Sequence, residues 1–301
     1  MTIKNALKKG SGLLKRISPT PLLDAEILLS YSLKKPKEYL YAYIEHGLSK
    51  NISSYYFKLL EKRKNHSPIA YLVKQREFFG NNFCLNENVL IPSQDSDVLV
   101  QKSLNVWQDL QKKYPSDAIG IWDIGTGSGC LIISLLLAVL SADKNKNWAN
   151  NAIGKANILA SDISQAALKV AGLNAEILLP EKIRKLIAFK KHDIFTNKNF
   201  SDSKFQIILS NPPYIPTAEI PKLQKEVGFH EPRIALDGHK DGLAFYRRLT
   251  VVIKKYLHPQ GIALLEMNSE LADKIAAIFK GFDSEIFYDL ESRPRVIKIT
   301  L

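Results

Sequence analysis

The 301-residue chain has only two cysteines, Cys84 and Cys130, far apart and without metal-type spacing. That excludes a disulfide framework and a cysteine-built zinc site, and it predicts two ordinary buried thiols in a reducing cytoplasm. No metal is expected. Long apolar runs are missing too. The longest, "CLIISLLLAVL" at 130–140, is too short to span a bilayer. The N-terminal "MTIKNALKKGSGLLKR" has no apolar core of signal-peptide length. A cytoplasmic monomer without membrane association is expected. No internal repeat is visible, nor an aromatic pattern suited to stacking RNA bases. With 46% hydrophobic and 24% charged residues the chain is neither disordered nor short of core material. Acidic residues are scarce in one place: residues 1–75 hold 14 Lys/Arg against 5 Asp/Glu, a net +9, whereas the rest holds 28 against 25, a net +3. Such a basic segment suits an acidic partner, RNA or something bound to RNA, or serves solubility alone.

Residues 1–75 read as helical. "TPLLDAEILLSYSL" offers Thr20 as N-cap, Pro21 at the first helical position and Asp24 in the first turn. Leu22, Leu23, Ile27, Leu28 and Tyr31 recur at helical spacing. "SSYYFKLLEKRKN" predicts a second helix, and "REFFGNNFCLNENVLIP" has the punctuated alternation of a hairpin. From about residue 95, apolar strands such as "AIGIWDIG", "ANILASD" and "FQIILSN" alternate with helical stretches. That rhythm predicts a parallel sheet with helices on both faces. In the tail, "GIALLEM" and "RVIKITL" read as strands, with "LADKIAAIFKGF" and an acidic turn between them. The expected organisation is a helical domain at 1–75, a β-hairpin linker at 76–94 and an α/β domain at 95–301. The polar "SADKNKNWANNAIGK" (141–155) reads as a surface insertion.

"WDIGTGSGC" places Gly125, Gly127 and Gly129 between a strand and a helix, with Thr126 and Ser128 between them. Glycines there allow a tight turn and close approach of a ligand, and the helix N-terminus favours an anionic group. As a dinucleotide fingerprint the loop is off register, since position 130 is Cys. Asp162 closes the next strand, where a carboxylate can accept both ribose hydroxyls, and Asp193 closes the one after, where it could meet an adenine amine. An acid at a strand end also serves simply as a helix cap. With Asn211, these residues all fall at carboxyl ends of strands, where open parallel sheets bind ligands.

"DIGTGSG", "ASDIS", "HDIF" and "SNPPY", in this order, resemble a class I S-adenosylmethionine-dependent methyltransferase. More narrowly, "SPIAYLVKQREFFG", "VLIP", "SNPPYIP", "EPRIALDG", "DGLAFYRRL" and "LLEM" resemble the bacterial release-factor glutamine methyltransferases, from about residue 20 to the C-terminus. The resemblance implies a seven-stranded, mostly parallel, doubly wound sheet with a small helical N-terminal domain joined by a β-hairpin. It implies that Gly125 to Gly129 wrap the methionine part of the cofactor, Asp162 holds its ribose, and Asp193 and Ile194 border adenine. Asn211, Pro212, Pro213 and Tyr214 would hold the target amide. The substrate implied is the glutamine of the Gly-Gly-Gln loop of peptide-chain release factors, docked by the helical domain, with S-adenosylhomocysteine as product. A ribosomal-protein glutamine and an exocyclic amine of nucleic acid are the alternatives. The chain departs from the family at "IPSQDSD" (91–97, usually IPRPETE), at "EMN" (266–268, usually EIG), at His239 (usually Gly) and at "SRPRV" (292–296, usually GRDRV).

The chemistry gives "NPPY" a reason. An amide nitrogen is a poor nucleophile because its lone pair is delocalised. Accepting hydrogen bonds from both of its N–H groups fixes it in place and favours a pyramidal geometry aimed at the methyl. The Asn211 side-chain carbonyl is one acceptor and a backbone carbonyl of the Pro212–Pro213 segment the other. The prolines stiffen the mount, and Tyr214 would add a flat wall.

Overall fold

The computed structural model describes residues 1–114, 118–142, 156–196, 200 and 203–301. From residue 143 on, the polar insertion lies outside the described residues. The chain divides into two compact units: 1–75 with 223–230, and 76–222 with 231–301.

The first unit contains α1 (Ile3–Leu14), α2 (Pro21–Leu33), α3 (Lys37–Ala42), α4 (Lys50–Lys64) and α5 (Ile69–Leu72). Thr2 caps α1 and Ser49 caps α4 through their hydroxyls. Pro21 opens α2 as expected, but Thr20 makes no side-chain cap; its N–H donates to Ser18 Oγ at 3.0 Å instead. Of the apolar stripe read on α2, Leu28 is fully buried, whereas Leu22 and Leu23 are exposed. The inward face is set by Ala25, Leu28 and Leu29, which meet Ile3, Tyr56 and Leu60. The buried Arg63 guanidinium lies 2.7 Å from Asp24 Oδ2 and 2.7 Å from Glu226 Oε1, so its charge is matched on two sides. Glu226 comes from the short helix Lys225–His230, and His230 Nε2 is 3.1 Å from the Asn65 carbonyl. This is how a segment distant in sequence joins the first unit.

The second unit follows at Arg76, within the expected hairpin of β1 (Gln75–Phe78) and β2 (Asn81–Cys84), which turns at Phe79 and Gly80, both at positive φ. Phe78 and Phe83 enter the core. Then come α6 (Asp97–Lys113), β3 (Ile121–Ile124), α7 (Cys130–Ala142), β4 (Ile158–Asp162), α8 (Gln165–Leu178), β5 (Ile187–Lys191), β6 (Phe205–Ser210), α9 (Ala244–Tyr256), β7 (Leu257–Glu266), α10 (Ala272–Ile278), β8 (Asp283–Tyr288) and β9 (Pro294–Thr300). The sheet has seven strands in the order β5-β4-β3-β6-β7-β9-β8. Strands β5 to β7 pair in parallel, and β9 runs antiparallel between β7 and β8. The acidic stretch read as a turn is in fact edge strand β8, in which Ile286 and Phe287 pair with Ile297 and Val296. Its charges mask the strand because an edge faces water on one side.

Strand side chains alternate between two cores. Ile121 and Ile207 enter one, beside α6 and α7; Trp122 and Ile208 enter the other, beside α9. Both faces are covered, so the strands read as continuous apolar runs rather than as alternation. Cys84 and Cys130 are free, but each is only partly buried, which corrects the expectation of two buried thiols.

Candidate active site

The chain passes from β3 outward through β4 to β5, and then returns to place β6 on the other side of β3. This reversal opens a crevice at the carboxyl ends of β3, β4 and β6. A cavity of about 590 Å³ lies there, lined by Gly125 to Ser128, Asp162, Asp193, Ile194 and Asn211 to Pro213, among others. Nearly all the residues singled out from the sequence are thereby brought to one place. Gly129 and Tyr214 are not among the lining residues.

The turn after β3 needs glycine. Gly125, Gly127 and Gly129 have φ of +73°, +55° and +80°, a region costly for residues with a Cβ. A Cβ on Gly125 would meet nothing within 4 Å, so the backbone lies open to a ligand. A Cβ on Gly129 would lie 2.8 Å from Ile133 Cδ1 and 3.2 Å from Ala171 Cβ, so that glycine serves packing between the turn and α8. Asn174 of α8 ties the region together: its Nδ2 donates to the Ser128 carbonyl at 2.9 Å and to the Cys84 carbonyl at 3.0 Å, while its Oδ1 accepts from Cys84 N–H at 2.7 Å.

Asp162 Oδ2 accepts from Gly127 N–H at 2.9 Å and Oδ1 from Ser164 N–H at 2.8 Å. Each oxygen keeps a further lone pair for a hydroxyl. Burial raises the Asp162 carboxyl above the usual carboxylate range. Asp193 Oδ1 accepts from Phe195 N–H at 2.9 Å, an Asx turn that sets the loop after β5. Ile194 is buried, and Arg248 Nε donates to its carbonyl.

Beneath the turn, Asp123 is fully buried. Its Oδ2 accepts from Thr126 Oγ1–H at 2.6 Å, and its Oδ1 has no partner among the described residues. Burial pushes this carboxyl up to about 7. A folded-state value raised above the unfolded one means stability that is full in acid and lost as pH rises through about 7. Asp123→Asn should flatten the fall in unfolding free energy between about pH 4 and 7, the span from the unfolded value to the folded one, by up to about 1.4 kcal/mol per pH unit, the most one proton can contribute. Thermal melts of the two proteins across that range measure it; parallel curves would refute it.

The loop after β6 is braced by the segment 232–242. Ile215 and Asp237 form a parallel bridge; Ile215 N–H donates to the Leu236 carbonyl at 3.0 Å and Gly238 N–H to the Ile215 carbonyl at 2.8 Å. A Cβ on Gly238 would lie 2.8 Å from Tyr214 Cα and 2.9 Å from the Pro213 carbonyl oxygen, and one on Gly242 would overlap the Tyr214 carbonyl oxygen. The glycines of "LDGHKDG" thus let a second loop press against Pro213 and Tyr214. Their spacing was visible in the sequence; the partner they approach was not. Tyr214 itself packs on the second core. His239 stands at φ +66°, beside Phe245 and Phe195 on the cavity wall. Two further polar residues had drawn no role from sequence, Ser96 on the cavity lining and Glu266 beside it. Ser96 and Glu266 are both buried, and Ser96 Oγ donates to Glu266 Oε2 at 2.5 Å.

Among the described residues no helix is long and apolar enough to cross a membrane, and no group of three or more His, Cys, Asp or Glu could hold a metal ion.

Strand order, glycine turn and cavity together define a class I methyltransferase fold. A crystal structure titled as the hMettl16 catalytic domain in complex with an RNA hairpin shares it, with a TM-score of 0.50 at 14% identity, covering 79% of this chain and 80% of that one. Residues 5–73 match the family model described as the PrmC N-terminal domain. The release factor glutamine methyltransferase of Clostridium acetobutylicum is 34% identical over 97% of this chain and 94% of its own length. That of Leptospira interrogans is 34% identical over 99% and 98%. The chain belongs to the release factor glutamine methyltransferase family. The "Bifunctional methyltransferase" of Rickettsia felis is 35% identical over 98% of this chain, which spans only 57% of that longer relative.

Proposed function

We propose that the chain transfers a methyl group from S-adenosylmethionine to the side-chain amide nitrogen of a glutamine, the one in the Gly-Gly-Gln loop of peptide-chain release factors. The observation that carries this reading is that Asn211, Pro212 and Pro213 line the same cavity as the glycine turn and Asp162. The chain's residues suit the methyl donor. The open backbone at Gly125 leaves room for its methionine part, Asp162 has lone pairs for its ribose, and Ile194 offers an apolar edge for adenine beside Asp193. When bound, the donor supplies a sulfonium-activated methyl carbon.

The protein's part is to position the nucleophile. Asn211 Oδ1 accepts one N–H of the target amide. The Pro213 carbonyl lies against Gly238 and the Tyr214 carbonyl against Gly242, so the Pro212 carbonyl is the backbone oxygen assigned to the second N–H. Such positioning is worth up to ~7–11 kcal/mol. No strong base is needed, since the nitrogen sheds its proton readily once alkylated. The helical unit of residues 1–75, basic and matched to the PrmC N-terminal domain, is assigned to docking the release factor, close to the ribosome's RNA.

The purified chain should be incubated with methyl-labelled S-adenosylmethionine and, in parallel, a release factor, the same factor with its Gly-Gly-Gln glutamine replaced, ribosomal proteins, and total RNA. Label on the intact factor alone is expected. Label on ribosomal protein or RNA, with none on the factor, would replace the proposed substrate.

A further inference from the structure

We infer that Glu266, together with Ser96, is a positioning device that fixes which end of the Asn211 amide faces the substrate; the inference rests on the proposed role of Asn211. Glu266 is the last residue of β7, whose Leu265 is in register with Ser210 at the end of β6. The two strand ends therefore set Glu266 beside Asn211. The carboxylate accepts a hydrogen bond from Ser96 Oγ–H at 2.5 Å, and the Asn211 side chain lies near enough to favour its charged form. Asn211 Nδ2 also lies 3.4 Å from Ser96 Oγ. The backbone at this point is held on both sides, since Tyr246 Oη–H donates to the Glu266 carbonyl and Met267 N–H to the Arg295 carbonyl, each at 2.8 Å.

An asparagine amide has nearly the same shape either way round, so packing alone does not choose between its oxygen and its nitrogen. A carboxylate can only accept. It draws Nδ2 toward itself and leaves Oδ1 for the cavity. The flipped amide would set Oδ1 against the carboxylate and aim an NH2 group at the substrate's own NH2, with no acceptor left for it. Methyl transfer needs the first arrangement, and only a neighbour without donors imposes it.

The device is sensitive to protonation. Burial pushes the Glu266 carboxyl up to about 7, with Asp95 pushing the same way and the Ser96 hydrogen bond, Arg295 and the Asn211 side chain opposing. Tyr214, Tyr246 and Cys130 also face its field. Once protonated, the carboxyl donates to Ser96 Oγ. The Ser96 hydroxyl then needs another acceptor, and a flipped Asn211 supplies one. Turnover should therefore rise with pH through about 7.

Glu266→Leu should lower kcat about 100-fold, the loss a misplaced reacting group brings, with S-adenosylmethionine affinity unchanged within about threefold. Glu266→Gln carries a donor, as the protonated carboxyl does, and does not titrate; it should hold kcat near the low acid-side level at every pH and lose the acid limb near pH 7. Ser96→Ala removes a hydrogen bond that favours the carboxylate, so its limb should move to higher pH. Asp123 and Glu231 are also raised to about 7, which makes Glu266→Gln decisive: an acid limb unchanged in that variant overturns the inference. A readout independent of turnover is the pair of Asn211 Nδ2–H NMR signals, assigned by their loss in Asn211→Ala. They should shift toward free-amide values in Glu266→Leu and titrate near pH 7 in the parent. Signals unmoved by both overturn the inference. If the parent fails to label a release factor, the proposed substrate falls, while these signals still test the positioning.

Discussion

Asn211→Ala should lower turnover about 10²–10³-fold, roughly 2.7–4 kcal/mol, the usual cost of deleting one preorganised hydrogen-bonding group at a reacting centre. The methyl donor's affinity should stay within about threefold, because the glycine turn and Asp162 are untouched. The residue stands at the carboxyl end of β6, whose Ser210 Oγ donates to the Ile124 carbonyl of β3 at 2.8 Å. The mount is thus anchored on a central strand and does not depend on the Asn211 side chain for its place. Loss in kcat rather than in affinity is the signature of positioning. Asn211→Asp should be as damaging by a different route. It sets a second carboxylate beside the buried Glu266, and like charges disfavour joint ionisation. Single-turnover assays with a release factor, alongside calorimetric titration of S-adenosylmethionine, separate the two quantities. Normal turnover in Asn211→Ala would end the case for this site.

Gly242→Ala should damage both fold and activity. Gly242 has φ +75°, and an added methyl would overlap the Tyr214 carbonyl oxygen and lie 2.9 Å from Leu271 Cδ1. Backbone strain at positive φ costs about 1–3 kcal/mol, and overpacking about as much again. A fall in melting temperature of order 10 °C follows for a unit of this size. The displaced atom is backbone, so the loop carrying Pro212 and Pro213 must move, and turnover should fall with it. Gly172→Ala is the control. That glycine lies within α8, and its Cβ would meet nothing within 4 Å; the change should be neutral or stabilise by up to about 1 kcal/mol. Equal melting temperatures for the two variants would refute the account.

Much of this was legible from residues alone because the information is local. A glycine turn between a buried strand and a helix announces itself, as does an acid or Asn-Pro-Pro at a strand end. The apolar runs "IWDI" and "IIL" mark strands covered on both faces. Edge strand β8 was not legible, since charged residues on its open side imitate a turn. Nor was the place of residues 223–230 in the first unit, which rests on Arg63 meeting Glu226 across most of the sequence. Thr20 shows the limit of a local rule: the residue type suits a cap, yet its hydroxyl caps nothing and its own N–H donates to Ser18 Oγ.

By itself, then, the sequence determined the class of sheet, the glycine turn and the Asn-Pro-Pro that ends a strand, because each depends on backbone rules acting over a few residues. Only the tertiary structure decided which side chains stand beside Asn211 and what braces its loop. Those depend on Ser96, Gly238, Gly242 and Glu266, which lie between 27 and 115 residues away along the chain. Strand register and loop packing bring them together, and no short-range pattern encodes that encounter.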